Sequence, residues 1–167
     1  MKIYIVANQS LTYYPIYHGT TLDSLVSILK SNELRANQSN ETETYGISFT
    51  RNPRESYGSA AIVFDRYELQ HNYHLEPVYR DGIAGLDLAE ERCNRTIRPV
   101  RNHIKQLRLT NPFLIRILKK QLQDRNKFHF DYVSALGEIL ELADEYNIPL
   151  DDNFEQVRSL LNMYHVD

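Results

Sequence analysis

Hydrophobic and polar positions follow two different periods along this chain, one typical of strands and one typical of helices. Short runs rich in β-branched and aromatic residues predict strands, since such side chains pack well on a pleated surface. These runs are Lys2–Val6, Tyr13–Tyr17, Gly46–Thr50 and Ala60–Phe64. A proline inside the second run places that strand at a sheet edge or makes Pro15 lie near its start.

Helical spacing first occurs directly after the second run. An apolar residue recurs every three or four positions and predicts a helix of about three turns with one buried face, formed by Leu22, Leu25, Val26 and Leu29. Thr20 or Thr21 can cap it, and Asp23 suits its first turn. The polar segment 32–44 predicts a surface loop, and we expect residues 68–88 to be mostly loop.

The last third of the chain is dominated by helical spacing. Residues 89–109 fit a helix and a strand equally well, because periodicity alone cannot separate the two. Apolar faces after Pro112 predict three helices, the second ending at 147–149 and the third capped by Asp152 or Asn153. The pattern therefore predicts an α+β fold, with a β-rich body at 1–110 and a helical C-terminal extension at 111–167 packed on it.

Composition is consistent with one compact domain and adds a prediction about location. The 167 residues are 42% hydrophobic and 25% charged, enough to form a core. No apolar run reaches the ~18 residues of a membrane span, and the first ten residues lack the pattern of a secretory signal. We therefore expect a cytoplasmic protein without membrane contact. The single cysteine, Cys93, is expected to be a small buried residue.

Charge is distributed unevenly along the chain. Residues 1–91 carry a net charge of −5, residues 92–127 carry eleven basic residues against one acidic residue, and residues 128–167 carry −8. We call 92–127 the basic block. It runs from Arg92 to Lys127, and it either contacts nucleic-acid phosphates or is matched internally by the acidic tail.

Several classes of site are not indicated. The six glycines form neither GxGxxG nor GxxxxGK[ST], which argues against Rossmann and P-loop sites. His71, His74 and Cys93 lack the paired clusters of a zinc site, and we expect no metal. Glu90 and Glu91 are adjacent in a strand-like segment, so they point to opposite faces. One of them can enter a cleft while the other meets solvent or an arginine.

Three segments, taken in order, resemble a known family. They are YHGTTLDSLVSILKSNEL, YGISFTRNPRESYGSA followed by AIVFDRYEL, and AEERCNRTIRPVRNHIKQLRL. This order resembles the ADP-ribosyltransferase fold of the poly(ADP-ribose) polymerase type, with its Trp-His-Gly-Ser strand, its Gly-Ile-Tyr-Phe strand and its Glu-led strand. It is also similar to the DNA ADP-ribosyltransferase toxins and the tRNA 2′-phosphotransferases. The resemblance covers Tyr14 to about Leu109.

The resemblance implies NAD as a substrate and assigns roles to individual residues. His18 would hold a ribose hydroxyl of NAD and also belong to the catalytic set. Gly19 would offer its backbone to the nicotinamide amide, with Thr20 beside it, and Tyr57 would stack on the nicotinamide ring. Aligning HIKQLRL with the family's closing strand without a gap places Glu90 at the position of the catalytic acid. Glu91 stays open as the alternative.

Two further residues belong to the expected cofactor-binding set. Ser48 stands where the polymerase pattern has its first tyrosine. Losing that aromatic wall favours mono-ADP-ribosylation over polymer elongation, or else a pocket that no longer uses NAD. Arg51, after the ISFT run, could meet the pyrophosphate, because a guanidinium forks onto phosphate.

The sequence thus predicts an NAD-dependent mono-ADP-ribosyltransferase acting on a protein or nucleic-acid acceptor, and its motif set suggests a bacterial or bacteriophage origin. Two alternatives stay open. One is a catalytically inactive module of the same fold that binds nucleic acid or a protein partner. The other is an RNA 2′-phosphotransferase-like enzyme, which would use Arg51, Arg54 and the basic block to hold phosphate.

Overall fold

A computed structural model describes residues 13–36, 46–55, 57–77, 90–124 and 130–164. Six strands form one antiparallel sheet in the order β4-β5-β2-β1-β3-β6. The strands are β1 (Pro15–Thr20), β2 (Ile47–Thr50), β3 (Ala60–Asp65), β4 (Glu76–Pro77), β5 (Glu90–Cys93) and β6 (Ile104–Leu109). The three segments that carry the resemblance provide β1, then β2 and β3, then β5 and β6.

Strand pairing is strong on both sides of the sheet and weak in its middle. β1 pairs with β3 over six residues, and β2 pairs with β5 over four. Among the described residues, β1 and β2 share a single register pair, Tyr17 with Thr50. We call this junction between β1 and β2 the seam. Within the described ranges the sheet thus consists of two well-paired halves that pair only sparsely with each other.

Five α-helices accompany the sheet within the described ranges. They are α1 (Leu22–Ser31), α2 (Arg66–Tyr73), α3 (Phe113–Gln123), α4 (Phe130–Glu145) and α5 (Asp152–Met163), with short 3₁₀ helices at Pro53–Glu55 and Val100–His103. The α1 helix is capped by Thr21, whose hydroxyl accepts a hydrogen bond from the Ser24 amide. This confirms one of the two predicted caps.

One hydrophobic cluster joins the sheet to the C-terminal helices. Ile16, Phe49 and Phe64 of the sheet are fully or almost fully buried, in the same cluster as Leu25 of α1 and Phe154 of α5. The α1 helix packs against α4, and α5 packs against β6. The α4 and α5 helices therefore share a core with the sheet and with α1.

Several predicted elements differ from the observed ones. The strand expected at 13–17 begins at Pro15 and continues to Thr20, so His18 lies inside the strand. The loop prediction for 68–88 is wrong at 68–73, which belong to α2. The only buried residue of this helix is Leu69, so the helix gives no apolar periodicity. Residues 90–109 resolve into β5, a 3₁₀ helix and β6.

The remaining differences concern ends of elements. The cap of the last helix is Asp151, whose carboxylate accepts from the Phe154 amide, rather than Asp152 or Asn153. The predicted strand Lys2–Val6 lies outside the described residues, as do parts of the two predicted loops. At least a mixed α+β architecture with one open antiparallel sheet is therefore established.

Candidate functional site

Ser48 of β2 connects two predicted site residues from neighbouring strands. Its carbonyl oxygen lies 2.9 Å from Nδ1 of His18 on β1. Its hydroxyl donates a hydrogen bond of 2.7 Å to Oε1 of Glu90 on β5. Ser48 therefore links His18 and Glu90 across three adjacent strands, through its backbone carbonyl on one side and its hydroxyl on the other. By strand register the His18 side chain lies with Phe49 and Glu91 on the face opposite Glu90.

His18 is oriented within the seam. Because a carbonyl oxygen only accepts, Nδ1 carries the proton and donates it to Ser48. The imidazole also lies beside the Phe49 ring, with 5.8 Å between ring centroids. In the neutral ring, the other nitrogen, Nε2, is left as a hydrogen-bond acceptor.

Burial lowers the pKa of His18, because the protonated imidazole loses hydration, and the bond to the Ser48 carbonyl opposes this shift only in part. His18 is therefore neutral at pH 7, with Nε2 unprotonated. A neutral acceptor of this kind suits a sugar hydroxyl better than a phosphate.

Glu90 is held from two directions. Strand register pairs Ser48 with Arg92 and Thr50 with Glu90, so the side chains of these residues share one face of the sheet. Besides the bond from the Ser48 hydroxyl, Oε1 of Glu90 accepts a hydrogen bond of 3.2 Å from Nη2 of Arg92. A short hydroxyl–carboxylate bond is among the stronger hydrogen bonds, and together these contacts fix the carboxylate in one orientation.

Glu91 occupies the opposite face, as strand alternation predicts. Its side chain is only 3% exposed and is paired with Arg51 at 2.9 Å and with Arg66 at 2.6 Å. Burial alone would raise the pKa of Glu91, but hydrogen bonds from Arg66 and Arg51 outweigh it, so its pKa is lowered. Glu91 is thus a buried, ionised partner of two arginines, away from Ser48.

Arg51 is therefore engaged by Glu91, and its expected contact with a pyrophosphate stays a prediction. Arg66 follows β3, in the half of the sheet across the seam from β5. Its guanidinium contacts both oxygens of Glu91. We call Arg51, Glu91 and Arg66 the arginine clamp, because it ties the two halves together beside the pair of Tyr17 and Thr50.

Gly19 and Thr20 support the segment around Tyr57. A Cβ placed on Gly19 would lie 2.1 Å from the Tyr57 carbonyl oxygen, and one on Gly58 would lie 2.3 Å from that of Thr20. Gly19 is therefore required for this close backbone approach. The side chain of Tyr57 points to solvent, since the residue is 90% exposed. The structure places the Tyr57 backbone at Gly19 but does not make its ring a wall of the site.

Two residues of this region were not predicted as site residues. Arg92 contacts Glu90, and its position two residues further along the strand is the signal that could have indicated it. Arg66 lies 25 residues from Glu91 in sequence, and no spacing rule joins a helix start to a distant strand. Cys93 is fully buried, as expected, and burial raises the pKa of its thiol.

The described cations of the basic block pair mainly with the body of the protein. Arg98 contacts Glu33 at 3.4 Å and Lys105 contacts Glu68 at 2.8 Å. Among the described side chains, the ion pair joining the block to the acidic tail is Arg108 with Asp151, at 4.0 Å. An internal match between the block and the tail is thus formed only weakly in this part of the chain.

Metal-binding clusters and membrane-spanning helices are both absent from the described ranges. These ranges contain no group of three or more His, Cys, Asp or Glu side chains placed to hold a metal ion. No helix in them is both long enough and apolar enough to cross a membrane.

Comparison with family models, with curated proteins and with solved structures finds no match to this chain.

Proposed function

We propose that this chain is an NAD-dependent mono-ADP-ribosyltransferase with an ADP-ribosyltransferase-like body. The observation that carries the proposal is the chain of hydrogen bonds from His18 through Ser48 to Glu90. It brings residues from three separate sequence motifs together on adjacent strands. Each motif is weak on its own, and their linkage through Ser48 at the sparsely paired seam supports a common site.

The proposed reaction breaks the bond between nicotinamide and its ribose. The bonding electrons leave with the nicotinamide nitrogen, which neutralises its positive charge, and C1′ of the ribose develops oxocarbenium character. A nucleophilic oxygen or nitrogen of the acceptor then bonds to C1′ and releases its proton. The Glu90 carboxylate, already oriented, stabilises the positive charge on the ribose without having to reorganise.

His18 and Ser48 serve this step in different ways. His18 Nε2 would accept a hydrogen bond from a ribose hydroxyl, because the Ser48 carbonyl fixes the Nδ1-protonated form. The Ser48 hydroxyl acts through Glu90, so Ser48 is a positioning residue. A serine in place of the aromatic wall supports transfer of a single unit.

The test is release of nicotinamide from NAD, with water as the acceptor, by the wild type and by Glu90→Gln. We expect a loss of at least about 100-fold in Glu90→Gln, the usual effect of removing one electrostatic stabiliser. Glu76→Gln is the matched control, because Glu76 is an exposed carboxylate on the neighbouring strand β4 and should retain the wild-type rate. Equal rates in all three proteins, or no release by the wild type, would contradict the proposal.

A non-catalytic binding module is the second candidate, and the position of Tyr57 favours it. With its ring in solvent, the aromatic surface implied for the nicotinamide ring is not assembled. Calorimetric titration with NAD separates the two candidates. Saturable heat that disappears in His18→Gln supports the NAD site, whereas no heat supports the binding module. The phosphotransferase alternative is weakened because Glu91 engages Arg51, one of its expected phosphate donors.

A further inference from the structure

A second concave site lies beyond the far end of β5. A surface pocket of about 690 Å³ is lined by the end of α2, the loop after β5 and the last residue of the second 3₁₀ helix. That volume is in the range of sites that hold small organic ligands. Its polar and charged lining residues are Asn72, Tyr73, Arg95, Thr96, Arg98 and His103. None of them belongs to the chain of His18, Ser48 and Glu90.

The net positive charge of this pocket comes from two arginines. Arg95 is exposed, and no carboxylate among the described residues pairs with it. Among the described carboxylates Arg98 pairs with Glu33, at 3.4 Å, and the Arg98 side chain is 66% exposed. Such a surface ion pair contributes little to stability, so Glu33 is readily replaced at Arg98 by a more strongly binding anion. His103 differs, because Glu68 lies 2.6 Å from its Nδ1 and balances its charge when the ring is protonated.

The loop that carries the two arginines is fixed by backbone contacts. Ile97 and Leu34 exchange two backbone hydrogen bonds of 2.9 and 3.0 Å. The Tyr73 hydroxyl donates to the Arg98 carbonyl at 3.0 Å, and the Cys93 thiol contacts the Arg95 carbonyl at 3.2 Å. The pocket is therefore formed before any ligand arrives, which reduces the entropy lost on binding.

We propose that this pocket binds a phosphate of single-stranded nucleic acid, with one nucleotide entering the cavity. Two guanidiniums three residues apart can each fork onto phosphate oxygens. Neutral polar groups of Asn72 and Thr96 line the same cavity and suit a sugar or a base. A concave pocket of this size accepts a nucleotide that is splayed out of a stack, whereas a duplex keeps its bases inside.

The pocket also lies near the candidate catalytic residue along the chain. Arg95 follows Glu90 by five residues, a separation of at most about 17 Å in extended backbone. At about 3.4 Å per stacked nucleotide, roughly five nucleotides span that distance. A bound strand could thus present its own acceptor atom to Glu90. This consequence rests on the proposed function, whereas the binding itself does not.

Fluorescence anisotropy of a labelled 12-nucleotide single strand, without NAD, tests the proposal. The pocket variant is Arg95→Gln with Arg98→Gln. Its matched control, Arg116→Gln with Lys120→Gln, removes two exposed charges of the same basic block from α3. We expect the pocket variant to bind at least tenfold more weakly at 50 mM salt and the control to stay within twofold of the wild type. The slope of log K against log salt should fall by about 1.4 in the pocket variant.

Further arms of the same experiment identify the ligand. Circular dichroism spectra matching the wild type show that both double variants are folded. A duplex of equal length should bind more weakly than the single strand. A nucleoside monophosphate should displace the labelled single strand only at a far higher phosphate concentration. Equal weakening in the pocket variant and the control, no binding by the wild type, or displacement by the monophosphate at equal phosphate concentration would overturn the proposal. Because the binding experiment contains no NAD, its outcome does not depend on whether the protein releases nicotinamide, and the two proposals can fail separately.

Discussion

Ser48 is the residue through which the candidate site is connected, and it contacts both neighbours with different atoms. Its carbonyl orients His18 and its hydroxyl orients Glu90. Replacing the side chain removes only the second contact, because the backbone carbonyl is retained. Ser48 therefore allows the orientation of the carboxylate to be tested separately from that of the imidazole.

We predict that Ser48→Ala lowers kcat for nicotinamide release about tenfold or more and leaves KM for NAD nearly unchanged. The reason is that a hydrogen bond to a charged group contributes about 1.5–3 kcal/mol, here to the orientation of Glu90. Steady-state kinetics measures both constants. Ser159→Ala is the control, because it removes an exposed hydroxyl on α5 far from β5 in the chain. An increase in KM at constant kcat would instead assign Ser48 to NAD binding.

The protonation state of His18 gives a second prediction at this scale. Burial lowers its pKa below the usual value of about 6.5, and the neutral form is the one able to accept from a ribose hydroxyl. The affinity for NAD should therefore be constant near pH 7 and should fall as the pH drops through the lowered pKa. Calorimetry between pH 5 and 7.5 measures it. The same fall in His18→Gln would show that another group is responsible.

The sequence separates the two adjacent glutamates only in part. Strand alternation predicted that they point to opposite faces and that one could meet an arginine, and the structure confirms both points. Both glutamates in fact meet an arginine, Glu90 with Arg92 and Glu91 with Arg51 and Arg66. The sequence could not predict that Glu91 is the buried one, because Arg66, which contacts both of its oxygens, comes from a distant helix start. Contacts between residues far apart in sequence depend on the assembled sheet.

At the scale of elements, the arginine clamp adds a connection between the two halves of the sheet at the seam, where strand pairing is sparse. Among the described residues β1 and β2 share one register pair and the bond of His18 to Ser48, and Glu91 adds a further connection by pairing across the seam with Arg66. A buried carboxylate with two cationic partners is costly to break, because an unpaired charge is then left in the interior.

We therefore predict that Glu91→Gln lowers the free energy of unfolding by about 3 kcal/mol at pH 7. The pKa of Glu91 is lowered in the folded state, so its contribution is fully present above the unfolded value of about 4.3 and is lost as the pH falls through the folded value. Urea unfolding at pH 7 and pH 3 measures this.

The difference between wild type and Glu91→Gln should be smaller at pH 3 than at pH 7. Glu76→Gln, an exposed carboxylate, is the control and should match the wild type at both values. A difference of equal size at the two pH values would show that Glu91 acts by packing rather than by charge.

Elements were predictable where packing imposes a strong pattern on the sequence. The buried runs of β2 and β3 and the apolar faces of α1 and α5 gave correct strands and helices. The α2 helix was missed because only Leu69 is buried, so capping by Asp65 rather than periodicity marks it. The seam was not predictable, since it depends on how β1 and β2 pair across a long connection.

At the scale of the whole molecule, the C-terminal helices and the sheet share one hydrophobic cluster. Phe154 of α5 is fully buried in it together with Phe49 and Phe64 of the sheet. A shared core of this kind couples the stability of the extension to that of the body, whatever boundary separates them in sequence.

We predict that Phe154→Ala lowers the stability of the whole chain by about 3–5 kcal/mol, through a cavity in this core. Far-UV circular dichroism and the fluorescence of the twelve tyrosines should report one coincident unfolding transition, in the variant as in the wild type. Met163→Ala, an exposed position on the same helix, is the control. Two separate transitions, with only one shifted in Phe154→Ala, would mean that 111–167 folds as a unit of its own.

The most direct test of the central claim is a crystal structure of Glu90→Gln with NAD, since this variant should bind the dinucleotide without cleaving it. The proposal that the seam is an NAD site predicts a ribose hydroxyl of NAD within hydrogen-bond distance of His18 Nε2. It also predicts the nicotinamide-side ribose against residue 90. Density for NAD elsewhere on the molecule, or an empty seam at saturating NAD, would contradict it.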